Sequence, residues 1–319
     1  MTKLAYFGYE PGITDGNDKS STGNAHWLRR LFSELEKNKI EVINGSIGEK
    51  SDRNEMLKEA AFNGDVFLFS WRWPMDESKY PQRMRAYRRQ ATMLEFAHRC
   101  QIPCIIHDSD MMQPDILDEL SELNPDAILT APTLFPPKGY QQLLFPRPYE
   151  DVPYVPLKNR YYEIAYIGNN YMRYEQMKRV YNSYHGKYQI DVWGNWKEKV
   201  SPSLLEEDFP GVTFEDKVNQ SDIQDLLSHA VLTHQFAKPI YCETGFLTPR
   251  LHEATSAGCA VIFPDEFKLP EKYEGIFKGL DVDQLFESEL YHKAVVESQR
   301  EIAKELDGTQ KFLNLIKSL

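Results

Sequence analysis

Arg250 and Glu253 stand three residues apart in the run Thr248-Pro249-Arg250-Leu251-His252-Glu253. On a helix that spacing puts a guanidinium and a carboxylate on one face. Thr248 reads as an N-cap and Pro249 as the first helical residue, so the sequence predicts an amphipathic helix over 249–257. Its open N–H groups and positive dipole end attract an anion, most naturally a phosphate. Gly258 ends the helix, and Cys259 to Phe263 is an apolar run of strand length. An arginine for phosphate beside a carboxylate for ribose hydroxyls suits a nucleotide-sugar. The same residues also suit an ordinary helix of an α/β domain with a surface Arg–Glu pair.

Three other constellations can carry chemistry. Gly168-Asn169-Asn170 follows a predicted strand and precedes a helix carrying Arg173, so the backbone can approach a phosphate that Arg173 neutralises. The turn is not GxGxxG; an ordinary βα turn is the other reading. His107-Asp108-Ser109-Asp110 directly follows predicted strand 103–106, which makes Asp108 a candidate general base. Asp108 and Asp110 also read as a DxD metal motif, or as loop and capping aspartates. The segment 79–99 holds Lys79, Arg83, Arg85, Arg88, Arg89 and Arg99 against one acid, Glu95. Beside Trp71, Arg72 and Trp73, read as an exposed loop, it can grip a phosphate backbone, or be a solvated basic helix face. The loop Ser20 to Asn24 can contact sugar hydroxyls or an acceptor, or simply cap a helix.

The elements that must position these residues follow from the apolar pattern. Strands are expected at 3–8, 40–43, 66–70, 103–106 and 127–129, with helices at 25–38 and about 80–100. After residue 150 the pattern restarts: strands at 164–167, 190–193, 212–214, 231–233 and 259–263, helices at 221–229 and 249–257, and a purely helical stretch over 289–319. Seven prolines between 132 and 156 suggest a semi-rigid interdomain linker. Alternating strands and helices argue for two doubly wound parallel sheets, with ligands at the carboxyl ends of the strands.

Composition narrows the classes further. At 319 residues the chain is long enough for two domains, and 41% hydrophobic residues suit globular material. No apolar run reaches the length of a membrane span, and the N-terminus reads as a strand without a signal-peptide core. Four cysteines without CxxC spacing are expected as free thiols in a reducing cytosol. The net charge of −11 argues against a polyanionic partner for the chain as a whole. The 79–99 patch is the exception.

With these residues in view, the chain resembles the bacteriophage DNA β-glucosyltransferases. The resemblance is clearest over about 162–270, in the strand–Gly–turn–Arg segment, Val192-Trp193-Gly194-Asn195, Thr213 to Val218, and Pro249 to Phe267. It is collinear but weaker over 1–130. It implies an α/β GT-B fold: two Rossmann-like domains facing a central cleft, with an acceptor (DNA) domain over 1–150 that ends in the Pro-rich linker. A UDP-sugar domain would span 151–300, and a C-terminal helix over 301–319 would return to the first domain. It implies transfer of glucose from UDP-glucose to 5-hydroxymethylcytosine in duplex DNA, with inversion.

Residue by residue, the resemblance gives Asp108 as the catalytic base, Arg250 as phosphate-binding and Glu253 as ribose-binding. Gly168, Asn169 and Arg173 fall at the diphosphate, with Asn169 where the family has serine. Tyr171 and Met172 stand where the family has a second arginine. Val218 falls where a backbone group recognises uracil, and Thr248 begins the phosphate-binding helix. Asn24, Arg72, Arg83, Arg85, Arg88 and Arg89 are the acceptor-binding candidates. Metal is not obligatory in this scheme, with Mg or Mn at most stimulatory, and a cytoplasmic monomer is implied, in the host cytoplasm if the chain is phage-encoded. Two other readings stand beside it: a GT-B enzyme acting on a glycan or small metabolite, and a nucleotide-binding module without transferase activity.

Overall fold

The computed structural model describes residues 1–8, 23–45, 53–71, 84–108, 122–130, 133–135, 143–144 and 148–319. Side chains are described for these except at 23–26, 53–54, 84–87, 108, 130 and 143–144. The chain divides into two compact units, Met1–Pro148 with Asp307–Leu319, and Tyr149–Leu306.

The first unit is built on a parallel sheet of six strands: β1 (Thr2–Phe7), β2 (Ile40–Asn44), β3 (Val66–Trp71), β4 (Cys104–Asp108), β5 (Ala127–Thr130) and β6 (Leu143–Leu144). Their order is β2-β1-β3-β4-β5-β6. Side chains alternate across it as a pleated strand requires. Leu4, Tyr6, Leu68, Ile105 and Leu129 pack with helix Gly23–Lys37 on one face. Ala5, Phe7, Phe67, Phe69 and Ile106 pack with helices Arg53–Asn63 and Met84–Cys100 on the other. Helix Thr309–Ser318 adds Phe312, Leu313 and Ile316 to the first of these clusters. The purely helical stretch expected over 289–319 is two helices, Glu289–Glu305 and Thr309–Ser318, parted at Leu306–Gly308.

Three expectations are corrected in this unit. Trp71 is not in an exposed loop: it ends β3, is 3% exposed, and continues the Phe67 and Phe69 face. The Pro-rich stretch is not linker throughout, because Leu143 and Leu144 pair with β5 as the sheet's last strand. Strand β4 also runs through His107 to Asp108 and does not stop at 106.

The second unit holds a parallel sheet of five strands: β7 (Tyr162–Ile167), β8 (Ile190–Trp193), β9 (Val212–Glu215), β10 (Ala230–His234) and β11 (Ala260–Ile262). The order is β11-β10-β7-β8-β9. The chain builds β7, β8 and β9 outward on one side, then crosses over to β10 and β11 on the other. The loops after β7 and β10 therefore diverge at a topological switch point, the usual ligand crevice of such sheets. Tyr166, Met177, Tyr181, Val192, Trp196, Leu232 and Phe236 are part of the core on one face.

Helix Pro249–Ala257 packs against helices Ile223–Ser228 and Glu289–Glu305. It is not amphipathic: every residue from Leu251 to Ala257 is buried. Small side chains at Ala254, Ser256 and Ala257 allow that enclosure. Arg300 closes its far end, donating from Nε to Thr255 O at 2.9 Å and from Nη2 to Ser256 O at 3.0 Å. Gly258 follows in the left-handed conformation, φ 78°. Where one helix was expected over 221–229, a 3-10 turn at Gln220–Asp222 leads into Ile223–Ser228.

Cys104, Cys242 and Cys259 are buried, Cys100 is exposed, and all are free thiols. Among the described residues no helix is long and apolar enough to cross a membrane.

Candidate functional site

Strand ends and one helix start build the site in the second unit. β7 ends at Ile167 and the chain turns through Gly168. The Gly168 carbonyl accepts the indole N–H of Trp196 at 2.7 Å, and its N–H donates to Trp193 O at 2.9 Å. A Cβ on Gly194 would lie 2.3 Å from that same carbonyl oxygen, so the close approach of the two turns needs glycine there. Asn169 Oδ1 accepts the backbone N–H of Asn195 at 3.1 Å. The turns after β7 and β8 are thus stitched together.

Arg173 lies at the N-cap of helix Tyr174–Ser183 and not inside it. Its Nη1 donates to the Tyr166 hydroxyl at 3.1 Å, while its buried Nε has no partner. Met172, just before it, holds a left-handed backbone at φ 55°, a conformation that costs energy for a side chain of this kind. Tyr171 reaches the other side of the switch point, where the Lys238 ammonium sits 4.2 Å from its ring centroid. Lys238 belongs to the loop after β10.

Helix Pro249–Ala257 presents its N-terminus beside that loop. Thr248 occupies the N-cap position, but its side chain makes no capping bond to the helix. Its Oγ1 accepts instead from Gln235 Nε2 at 2.6 Å. Arg250 and Glu253 meet at 2.6 Å in an ion contact that lacks hydrogen-bond alignment, with side chains 18% and 8% exposed. Glu253 Oε1 accepts from Gln220 Nε2 at 2.8 Å. Val218, two residues before Gln220, is half-buried in the loop after β9.

The structure therefore gathers Gly168, Asn169 and Arg173 at one strand end, and Thr248, Arg250 and Glu253 at the helix start. Two guanidiniums, the open Arg250 N–H at the helix start and side-chain amides at a switch point suit an anion joined to a hydroxylated group. Sequence reasoning missed Gln235, Gln220, Tyr166 and Asn195. Isolated glutamines carry no spacing signal; Gly194-Asn195 after a strand is one that was available.

In the first unit, Asp108 is the last residue of β4, in register with Trp71 of β3 and Thr130 of β5. Gln90, on helix Met84–Cys100, donates from Nε2 to Phe7 O at 3.0 Å and Ser70 O at 2.8 Å. It fastens the basic helix across the ends of β1 and β3, where this sheet reverses its order. Arg88 is exposed, Arg89 half-buried, and Arg99 is paired with Glu95. Arg85 and Asn24 lie on helices, but their side chains, like that of Asp108, are outside the described residues. Arg72, Arg83 and Asp110 lie outside them altogether. Among the described residues no group of three or more His, Cys, Asp or Glu comes together to hold a metal.

No protein-family model matches the chain, and no curated protein sequence does. Solved structures do. The DNA-modifying enzyme β-glucosyltransferase of phage T4, determined with and without uridine diphosphoglucose, matches with a TM-score of 0.57 at 13% identity, over 99% of this chain and 100% of that one. The T4 phage enzyme with UDP and Mn2+ matches at 0.56 and 12% identity, over 99% of both chains. AviGT4, a glycosyltransferase involved in avilamycin A biosynthesis, matches at 0.55 and 12% identity, over 98% of both. The fold is GT-B. At such identities the likeness speaks for architecture, and the chemistry has to be argued from the residues.

Proposed function

We propose that this chain is an inverting GT-B glycosyltransferase that moves a sugar, glucose in the first instance, from a UDP-sugar to a 5-hydroxymethylpyrimidine of phage DNA. The observation that carries the reading is the pair of half-buried Arg250 and buried Glu253 at the start of a buried helix, beside the switch point of a Rossmann-type sheet. It is supported by full-length structural likeness to an enzyme solved with uridine diphosphoglucose.

In this reading Arg173, Arg250 and the helix N-terminus hold the diphosphate, Gly168 and Asn169 admit it, Glu253 takes the ribose hydroxyls, and the Val218 backbone meets uracil. Asp108 removes the proton of the hydroxymethyl group. That oxygen attacks the anomeric carbon as the bond to UDP breaks on the opposite side, which inverts the centre. The two arginines stabilise the charge that builds on the departing diphosphate. The arginines and amides at this site are donors to phosphate oxygens and not ligands for a divalent cation, so side chains meet the diphosphate charge; Mg or Mn would at most stimulate. A base flipped out of the duplex meets Asp108, with Asn24, Arg72, Arg83, Arg85, Arg88 and Arg89 along the DNA. The enzyme acts as a monomer in the cytoplasm, that of the host if phage-encoded.

The test is transfer from a panel of UDP-sugars to hydroxymethylated and unmodified duplex DNA, read by mass spectrometry of the digested nucleosides. A sugar-sized mass gain on the modified base alone establishes donor, acceptor and reaction together. A second reading, a glycan or small-molecule acceptor, is favoured by the net charge of −11 and by the likeness to AviGT4. It gains if UDP-sugar binds while DNA stays unmodified.

A further inference from the structure

Gln235 follows β10 directly and is 1% exposed. Its backbone N–H donates to Ile262 O at 2.9 Å, which fixes it to β11. Its side-chain Nε2 donates to Thr248 Oγ1 at 2.6 Å. Its Oε1 is buried and has no partner. A buried amide oxygen left unpaired is costly and rare. Here it belongs to a side chain aimed at the open start of the helix that carries Arg250.

The consequence lies in the Thr248 hydroxyl. An N-cap threonine ordinarily turns a lone pair toward the second or third N–H of its own helix. Thr248 makes no such bond; its hydroxyl is turned instead to accept from the Gln235 amide. A hydroxyl has one proton to give. With a lone pair filled by Gln235, that proton is free to point out of the helix start, and the Arg250 N–H is not used by a cap.

We infer that Gln235 is a positioning residue for the donor diphosphate: it converts Thr248 from a helix cap into a hydrogen-bond donor to phosphate. The inference rests on the donor-site reading above. Gln235 itself need not touch the ligand. It sets the direction of a hydroxyl that does, and the Arg250 N–H beside it stays uncapped for the same anion, since Pro249 has no N–H and the Leu251 N–H is held by Thr248 O at 3.2 Å. Specificity follows, because the arrangement rewards a phosphate at the helix start and does nothing for the nucleoside.

The test compares UDP with uridine by calorimetry and ligand-observed NMR, in the wild type, Gln235→Leu, Thr248→Val, Thr248→Ser and the double variant Gln235→Leu/Thr248→Val. A hydrogen bond to a charged group sets the scale, so Gln235→Leu and Thr248→Val should each weaken UDP about tenfold. Uridine binding should not change. The double variant should bind UDP no worse than Thr248→Val alone, because Gln235 acts only through that hydroxyl, and Thr248→Ser should bind as the wild type does. Equal loss of UDP and uridine affinity in Gln235→Leu, or additive losses in the double variant, overturns the inference. Should Gln235→Leu fail to fold, Thr248→Val decides: unchanged UDP affinity there overturns it equally. A wild-type chain that binds no UDP overturns the donor-site reading and this inference with it. A wild type that binds UDP while both single variants bind as tightly overturns this inference alone.

Discussion

Trp196 holds the carbonyl of Gly168 through its indole N–H at 2.7 Å, from the first residue of the short helix Trp196–Lys199 that follows the neighbouring strand's turn. Trp196 is fully buried and packs against Phe209 and Phe214, so the bond ties the turn after β7 to the core under β8 and β9. Gly194 makes the approach possible. A methyl group there would sit 2.3 Å from the Gly168 oxygen, a backbone atom that cannot swing aside.

Gly194→Ala should therefore be costly twice over. We expect a loss of roughly 1–3 kcal/mol in unfolding free energy, the range for forcing extra volume into a packed site. We also expect weaker UDP binding, because the turn carrying Gly168 and Asn169 must shift. Denaturant melts with UDP titration check both; an alanine variant with wild-type stability and affinity would show that the two turns are not coupled.

Arg250→Ala removes a guanidinium from the helix start and leaves Glu253, 8% exposed at its side chain, without its cation. UDP affinity should fall by about one to two orders of magnitude, the scale of a lost charge-assisted contact. Arg250→Lys should recover only part of it, since a point charge cannot reproduce the planar fork. Glu253→Gln should weaken UDP more than deoxyuridine diphosphate if the carboxylate reads ribose hydroxyls. Calorimetry with the two nucleotides separates the roles.

Two buried histidines set a pH limit on the second unit. His292 bridges Tyr154, through its hydroxyl at 2.7 Å, and the carbonyl of Val231 at 2.9 Å. Burial pushes its pKa down to about 4, and that of His234 down to about 3. Both fold as neutral rings, while the unfolded chain takes up protons near pH 6.5. Their stabilisation is complete above pH 6.5 and is lost as pH falls toward 4 and then 3, by roughly 3 kcal/mol for His292 and roughly 5 kcal/mol for His234. The unfolding midpoint should drop across that window, and His292→Gln should flatten part of the slope. A wild-type midpoint independent of pH between 6.5 and 4 would contradict the neutral assignment.

Much of the frame was legible because burial writes a period into the sequence. Leu4 and Tyr6 face one layer, Ala5 and Phe7 the other, and the same pattern repeats in β3 and β4. That Arg250 and Glu253 share a helix face follows from their spacing alone. Trp71 misled, because an aromatic after a strand reads as loop until the strand is seen to run one residue further. The helix 249–257 misled differently: small residues make a fully buried helix look half-exposed in pattern. Short helices such as Pro202–Asp208 and Pro239–Thr244 depend on tertiary packing, so their sequences signal little on their own. Contacts such as Gln220 to Glu253 or Gln90 to Phe7 join residues far apart in the chain, and no local pattern announces them.

Asp108 is predicted to divide binding from chemistry. It ends β4 with Trp71 and Thr130 in register on either side. Asp108→Ala should leave UDP affinity in the second unit unchanged and reduce transfer by at least two to four orders of magnitude, the range for losing a general base. Asp108→Asn tests the same point with less change in volume. Transfer that survives both substitutions would remove Asp108 from the mechanism and move attention to another proton acceptor.

Nucleic-acid binding is the prediction on which the acceptor turns. Gln90 pins the helix Met84–Cys100 over the ends of β1 and β3, and Arg88 on that helix is exposed. If this face meets a duplex, binding should weaken steeply with salt, because each phosphate contact releases counterions. Each of Arg85→Ala, Arg88→Ala and Arg89→Ala should then lower the logarithmic salt slope by about one, whatever the DNA sequence. Arg99→Ala is the internal control, since Arg99 lies at the other end of the helix, far along it from Arg85, Arg88 and Arg89. Filter binding over a salt series reads both effects. Wild-type slopes in the first three variants would place the duplex elsewhere, and no salt-dependent binding at all would favour a small acceptor on a GT-B frame.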